Sequence, residues 1–490
     1  MRESGILLHI TSLPSRGGIG TLGKEAFAFI DFLHDAGMQV WQVLPVGPTG
    51  YGESPYQSAS TYAGNPMLID LTALQAQGLL DSADFPTLPD DALVDFETVR
   101  AQKDALLRKA FSRVQDFSAT QAFAQSHAWA ADYALFMALK THFGGVSWQS
   151  WPQEIRLRNK AALDTLRQEL QQEIDYHLFV QQLFFAQWAD MRAYAAKQGV
   201  KLFGDMPIYV AEDSADAWAN PEIFQMDADK RPIKVAGVPP DYFSADGQLW
   251  GNPLYDWRAL RRRRYDWWIA RLNAMGELFD YLRVDHFIGF ANYYAIPAGA
   301  KNARVGEWIK GPGRKLFRRV RREVRGVRII AEDLGAVNGR VRRLLRYCGY
   351  PGMKIITFAF DGGDDNVNLP QHHTKNCVAY TGTHDNNTAL GWWQQDASPE
   401  AKAKAARVLG LRAGDDPVGK MIALAFASPA EMAIIPMQDF LRLDQSARMN
   451  MPGTVGGLNW RWRMTQRPPE AVKEEILRLN QEYHRGRNQA

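Results

Sequence analysis

The chain has 490 residues, of which 46% are hydrophobic and 23% charged, with a formal net charge of +3. That is the profile of a globular protein with ample core, and so small a charge over this length argues against nucleic acid or an anionic membrane as the main partner. Two cysteines, Cys348 and Cys377, show no metal-ligand spacing and are too few to staple the chain, which fits a reducing cytoplasm. The start runs from Met1 into a turn at Pro14, its apolar stretch too short for a signal peptide. No later segment approaches a membrane span, so a soluble, non-exported protein is expected.

In chain order a module recurs: a helix-period stretch, a glycine stop, a β-rich run and a polar loop. It first appears as Ala26–Leu33, Gly37 and Val40–Pro45, then as the amphipathic stretch Glu173–Lys197, Gly199 and Lys201–Asp205. In the latter Ile174, Leu178, Phe185 and Trp188 fall on one helical face. Later copies run from Phe317 through Gly326 into Val327–Glu332, and from Val341 through Gly349 into Met353–Phe360. Eight strands are predicted: Gly5–Ile10, Val40–Pro45, Lys201–Val210, Tyr281–Phe287, Val327–Leu334, Met353–Phe360, Val378–Asp385 and Met432–Leu441. Eight strands alternating with helices predict an α/β protein, a (β/α)8 TIM barrel across residues 1–490, with a doubly wound open sheet as the alternative. The uneven gaps predict subdomains inserted over the C-terminal face. Residues 46–172 read as a mainly helical insertion after strand two, and 211–264 as a loop-rich insertion after strand three.

Three acids each close one of these apolar runs: Asp285 in Tyr281–Phe287, Glu332 in Ile329–Leu334 and Asp385 in Tyr380–Asp385. Carboxylates are rarely buried unless something pairs with or needs them, and acids converging on one site are the equipment for breaking glycosidic bonds. Side chains alternate along a strand, so Arg283 shares a face with Asp285 and is expected to hold it ionised, as suits a nucleophile. Glu332 has to begin the cycle protonated, which requires an apolar wall or a neighbouring negative charge. His384 adjoins Asp385 and is suited to sugar hydroxyls. A lone Asp at a strand end is often only a cap; three together, two with basic neighbours, favour chemistry. The 15 Trp, 17 Tyr and 24 Phe also suit stacking on sugar rings.

Other signals are weaker. Gly18–Gly23 spells G-x-G-x-x-G, but the strand after it ends in Leu44-Pro45 without the acid that would bind a ribose. Arg261–Arg264 and the arginines from Arg314 to Arg328 read as solvated helix faces. His372-His373 and His384-Asp385 lack the spacing of a metal site, and no G-x-S-x-G elbow occurs.

At this point a family comes into view. Arg283-Val-Asp-His286, Ala331-Glu-Asp-Leu-Gly335 and Gly382-Thr-His-Asp-Asn386 resemble the amylomaltases, or 4-α-glucanotransferases, of the α-amylase clan. So do Thr11–Ser15, Tyr51–Gln57, Gly204–Tyr209, Pro239–Ser244 and Gly247–Pro253, and the start at strand one is similar to the compact bacterial form. The resemblance implies Asp285 as nucleophile, Glu332 as general acid/base and Asp385 as a third acid on the distorted donor sugar. Arg283 and His384 match supporting residues, Asp205 a substrate-contacting acid, and Tyr56 and Trp250 lie in motifs shaping the donor and acceptor sites. The implied reaction is retaining transfer of α-1,4-glucan segments between maltooligosaccharides, with the two carboxyls about 5–5.5 Å apart and no metal or organic cofactor. The same acids serve a retaining α-glucan hydrolase, the alternative; a non-catalytic glucan-binding protein and a metal-dependent barrel hydrolase stand further off.

Overall fold

The eight expected strands stand side by side in one parallel ring in the computed structural model, which describes residues 2–85, 91–240, 245–335 and 337–486. In chain order they are β1 (Glu3–Leu7), β2 (Val40–Gln42), β3 (Lys201–Met206), β6 (Tyr281–Val284), β9 (Arg328–Ala331), β10 (Gly352–Ile355), β11 (Cys377–Tyr380) and β12 (Met432–Pro436). Each pairs in parallel with its predecessor from β1 to β9 and from β10 to β12, and β12 pairs back with β1. Ala331 N–H donates to Pro351 O (2.9 Å) where β9 meets β10, so the ring closes as a (β/α)8 barrel.

The strands are shorter than the apolar runs that announce them. Tyr281–Phe287, for instance, is extended only to Val284, because His286 turns left-handed and Phe287–Phe290 forms a 3₁₀ turn. Along β6 the period of two is strict: Tyr281 joins a barrel-interior cluster with Val40, Phe203, Ile330, Met353 and Val378. Leu282 and Val284 face outward into the larger core beneath the surrounding helices. Gly199 and Gly349 hold φ of 63° and 70°, letting helices Gln171–Lys197 and Gly339–Cys348 turn back toward β3 and β10. Gly204 in β3 serves close packing instead: a Cβ there would lie 2.4 Å from the Phe279 ring.

Between β2 and β3 the chain builds helices Phe96–Ser112, Ser118–Ser126, Ala130–His142 and Lys160–Glu169. Between β3 and β6, β4 (Lys234–Val238) and β5 (Gln248–Pro253) lie within the loop-rich stretch. A further excursion follows β6, where β7 (Asn292–Pro297) and β8 (Glu307–Lys310) complete an antiparallel sheet of order β5-β4-β7-β8. The sequence reading has no counterpart for this sheet. Its strands come from two separate loops and have no adjacent partner pattern to betray them.

Candidate active site

Asp205, Asp285 and Glu332 sit at the C-terminal ends of neighbouring strands, and Asp385 follows β11 across the same rim. The register decides who meets whom. Asp205 is paired with Arg283, and Val284 with Ala331, so the next residues, Asp285 and Glu332, stand at one level on adjacent strands. Neighbouring strands are about 4.8 Å apart, so the two acids leave the barrel side by side.

Arg283 is sandwiched between two acids. Its Nη1 donates to Asp205 Oδ2 and its Nη2 to Asp285 Oδ1 (2.8 Å). The Asp205 side chain is fully sealed, whereas that of Asp285 retains 28% exposure and so opens to the cleft. Tyr56 completes the cluster: its hydroxyl donates to Asp205 Oδ2 (2.7 Å) and lies 2.8 Å from His384 Nε2, and its ring stacks on His384 (5.3 Å, 12°). His384 Nε2 is in turn 3.4 Å from Asp385 Oδ2. Burial lowers the His384 pKa, with the Asp385 charge opposing.

Glu332 is buried, with both oxygens held by main chain: Oε2 accepts from His286 N–H (2.8 Å) and Oε1 from Leu334 N–H (3.0 Å). Burial, then the neighbouring Asp285 charge, push its carboxyl up to about 8. Burial also pushes Asp285 up, to about 7, against the pull of Arg283. The expectation that Arg283 would keep Asp285 ionised is thus opposed by burial: desolvation outweighs one buried cation shared with Asp205. The two carboxyls titrate as a pair, both pushed above the usual carboxylate range by burial.

Trp250 on β5 presents its ring edge-on to His286 (4.9 Å, 85°), which brings the inserted sheet down to the acid pair. All eight residues singled out from the sequence are therefore linked through one rim of the barrel, except that residues 241–244 of the Pro239–Ser244 motif lie outside the described residues. Sequence reasoning missed the segment after β12. Asn450 Nδ2 donates to Asp385 Oδ1 (2.7 Å), Arg448 Nη2 to Asp385 O (2.8 Å), and Trp460 packs by Tyr56 (5.8 Å). That stretch has neither helical nor strand period, so no pattern marks it.

The discounted signals have ordinary explanations. A Cβ on Gly20 would lie 1.7 Å from Ile10 O, and one on Gly23 2.5 Å from the Asp70 carboxylate, so these two glycines of the G-x-G-x-x-G string answer to packing, while Gly18 takes a left-handed φ of 75°. His373 bonds Ser428 Oγ (2.7 Å) and Asn368 O (2.9 Å), away from the acids.

Residues 8–468 match the family described as 4-alpha-glucanotransferase, glycoside hydrolase family 77. A 4-alpha-glucanotransferase of Thermus thermophilus is 46% identical, the match spanning 98% of this chain and 97% of that protein; one of Streptococcus pneumoniae is 44% identical over 99% and 97%. Among solved structures, an amylomaltase from Streptococcus agalactiae in complex with acarbose superposes with a TM-score of 0.96 at 40% identity, covering 99% of this chain and all of that one. The Corynebacterium glutamicum amylomaltase, at 18% identity and a TM-score of 0.79 over 98% of this chain and 75% of its own, shares the fold. With the matched family spanning nearly its whole length, this chain belongs to the 4-alpha-glucanotransferases of glycoside hydrolase family 77.

Proposed function

We propose that this protein transfers α-1,4-glucan segments between maltooligosaccharides by retaining double displacement, with Asp285 as nucleophile and Glu332 as acid/base. In the first step Glu332 gives its proton to the glycosidic oxygen while Asp285 attacks the anomeric carbon, forming an ester bond as the leaving chain departs with a free 4-hydroxyl. In the second, Glu332 takes the proton from an incoming 4-hydroxyl, whose oxygen displaces Asp285 and restores an α-1,4 bond. One acetal bond is broken and one of the same kind is made, so the exchange draws on no external energy source.

The observation that carries this reading is the acid pair itself. Asp285 and Glu332 stand at one level on adjacent strands, one bound by Arg283 and opening to the cleft, the other buried with its carboxyl pushed well above the usual range. Placement of the two acids on adjacent strands supports the retaining reading, in which the carboxyls lie about 5–5.5 Å apart. Asp385, steadied by Asn450 and Arg448, has its carboxylate 38% exposed and available to hydroxyls of the donor sugar. His384 and Tyr56 would wall that sugar. Among the described residues no helix is long and apolar enough to cross a membrane, and both cysteines are free thiols, which suits a reducing cytoplasm.

Incubation with maltotriose alone tests the proposal. Transfer gives glucose and a ladder of longer maltooligosaccharides with total reducing ends constant. Rising reducing ends without longer products would make the protein a hydrolase and refute the reading.

A further inference from the structure

His9, two residues past β1, is a buried titratable group at the mouth of the barrel. Leu7 belongs to the barrel-interior cluster, and the chain is still extended at His9 (φ −69°, ψ 150°), so alternation turns the imidazole inward as well. Only 7% of its surface is exposed. A core position asks only for an apolar side chain, whereas a buried imidazole asks for partners to two ring nitrogens.

Those two nitrogens are unequal. Nδ1 is sealed and has no hydrogen-bond partner among the described residues. Nε2 has no protein partner among them either but is not sealed, and the residue lines a cavity of about 20 Å³, room for one water molecule. His384 lines the same cavity. Its Nε2 is engaged elsewhere, by Tyr56 Oη (2.8 Å) and Asp385 Oδ2 (3.4 Å), while its Nδ1 is unsealed and without a protein partner among the described residues. Gln438 is a further polar lining residue: its Nε2 donates to Ala447 O (3.3 Å), and its Oε1 has no partner among the described residues.

The protons on these groups follow from their partners. Burial lowers the pKa of both imidazoles, that of His9 to about 3, so each ring is neutral at working pH and carries one N–H. Burial also keeps the Tyr56 hydroxyl protonated, and it directs its one hydrogen to Asp205 Oδ2, a carboxylate bound by Arg283 that can only accept. Toward His384 it therefore presents a lone pair, as Asp385 does, so His384 Nε2 has to be the N–H. The lone pair of His384 then lies on Nδ1. In His9 a sealed N–H without an acceptor would be the costlier orphan, and buried lone pairs are more often left under-satisfied. Its proton accordingly sits on the unsealed Nε2.

We infer that His9 is a positioning residue for His384: its Nε2–H donates to a water in this cavity, which donates in turn to His384 Nδ1 and to Gln438 Oε1. Three bonds are the usual complement of a buried water. The chain of donors runs one way, from His9 through the water into His384, and from His384 Nε2–H to Tyr56 and Asp385. It fixes the imidazole as the Nε2–H tautomer, so that a donor rather than a lone pair faces the donor sugar and the Asp385 carboxylate stays drawn to the ring. The opposite tautomer would set a third lone pair against those of Tyr56 and Asp385, at 2.8 and 3.4 Å. The inference rests on the proposed wall of His384 and Tyr56 along the donor sugar.

The test compares wild type with His9→Leu, His9→Gln and His9→Asn. Leucine deletes the donor and keeps the site filled. Glutamine sets an amide N–H where Nε2 stands, whereas asparagine sets one where the sealed Nδ1 stands. With maltotriose, His9→Leu and His9→Asn are expected to lower kcat about tenfold, the worth of one hydrogen bond, with KM little changed, and His9→Gln to recover most of that loss. Fluoride release from α-maltosyl fluoride should fall by the same factor, because the affected wall lies along the donor sugar that both substrates share. Nitrogen-15 spectra of histidine-labelled protein, assigned with the His9 variants and His384→Gln, should show both rings neutral with the proton on Nε2 at about pH 7. His9→Leu should move the His384 signals toward the Nδ1–H form. Unchanged kcat in folded His9→Leu would overturn the proposal. So would equal losses in His9→Leu and His9→Gln, which would leave His9 only a packing role, or a His384 proton on Nδ1 in wild type. If His9→Leu fails to fold, the glutamine–asparagine contrast and the wild-type spectrum decide between the same outcomes. The tautomers are read without substrate, so wild type that hydrolyses maltotriose without a ladder would refute the transferase reading and leave His9 judged by its spectra.

Discussion

Replacing the proposed nucleophile should make the protein more stable. The Asp285 carboxyl is pushed up from 3.8 to about 7, first by burial, and Arg283 recovers only part of that cost. Its folded pKa lies above its unfolded one, so the folded state binds more protons between about pH 4 and pH 7. Stability is accordingly lost as pH rises through that window, and the full penalty remains above it. A rise from 3.8 to about 7 sets a ceiling of about 4 kcal/mol. Part belongs to coupling with Glu332, so about 2 kcal/mol is expected from Asp285→Asn at pH 8.5. The variant sacrifices little in packing, because the amide oxygen can still accept from Arg283 Nη2 and the amide nitrogen can face the cleft through the 28% of the side chain that is exposed. Denaturant midpoints for wild type and Asp285→Asn at pH 5.5 and pH 8.5 provide the assay, with glucan transfer at background in the variant. The gain should be about half as large at pH 5.5. A variant no more stable than wild type at pH 8.5, or a gain independent of pH, would refute the reasoning and show that Arg283 outweighs desolvation.

The proposed roles require Asp285 ionised and Glu332 protonated, so kcat/KM should peak narrowly between about pH 7 and pH 8 and fall on both sides; a flat profile from pH 5 to pH 9 would count against the paired assignment. Glu332→Gln should lose roughly 10²–10⁴-fold on maltotriose, and much less on α-maltosyl fluoride, which needs no protonation to leave; equal losses would remove Glu332 as the acid. Asn450→Ala deletes the bond to Asp385 Oδ1 and should lower kcat/KM about tenfold, the value of a bond to a charged group, while shifting the denaturation midpoint little.

Much of the site was legible because its residues end strands. Asp205, Asp285 and Glu332 each close an apolar run, and period-two alternation puts Arg283 on the face of Asp285, so local sequence is enough to nominate them. The pattern could not reveal Asn450, Arg448 and Trp460, which reach Asp385 and Tyr56 from an aperiodic segment beyond the last strand. Nor could it reveal β7 and β8, short strands that become a sheet only by pairing with β4 from another loop. The strand ends were overread for a related reason: Phe287–Phe290 is apolar although the backbone has already left the extended region.

Local patterning in the sequence was therefore sufficient for the barrel, because eight strand-helix alternations with glycine stops admit few architectures, and for the acids at its rim. Tertiary structure alone decided which groups those acids meet and how deeply each is buried. Strand register sets Asp285 beside Glu332 and Asp205 beside Arg283, and burial, a property of everything packed around them, overrides the cation that the sequence placed two residues away. A pKa depends on solvent exclusion summed over the whole fold, and a conformation such as that of His286 on contacts to Glu332, Gly289 and Trp250, none of which a linear reading supplies.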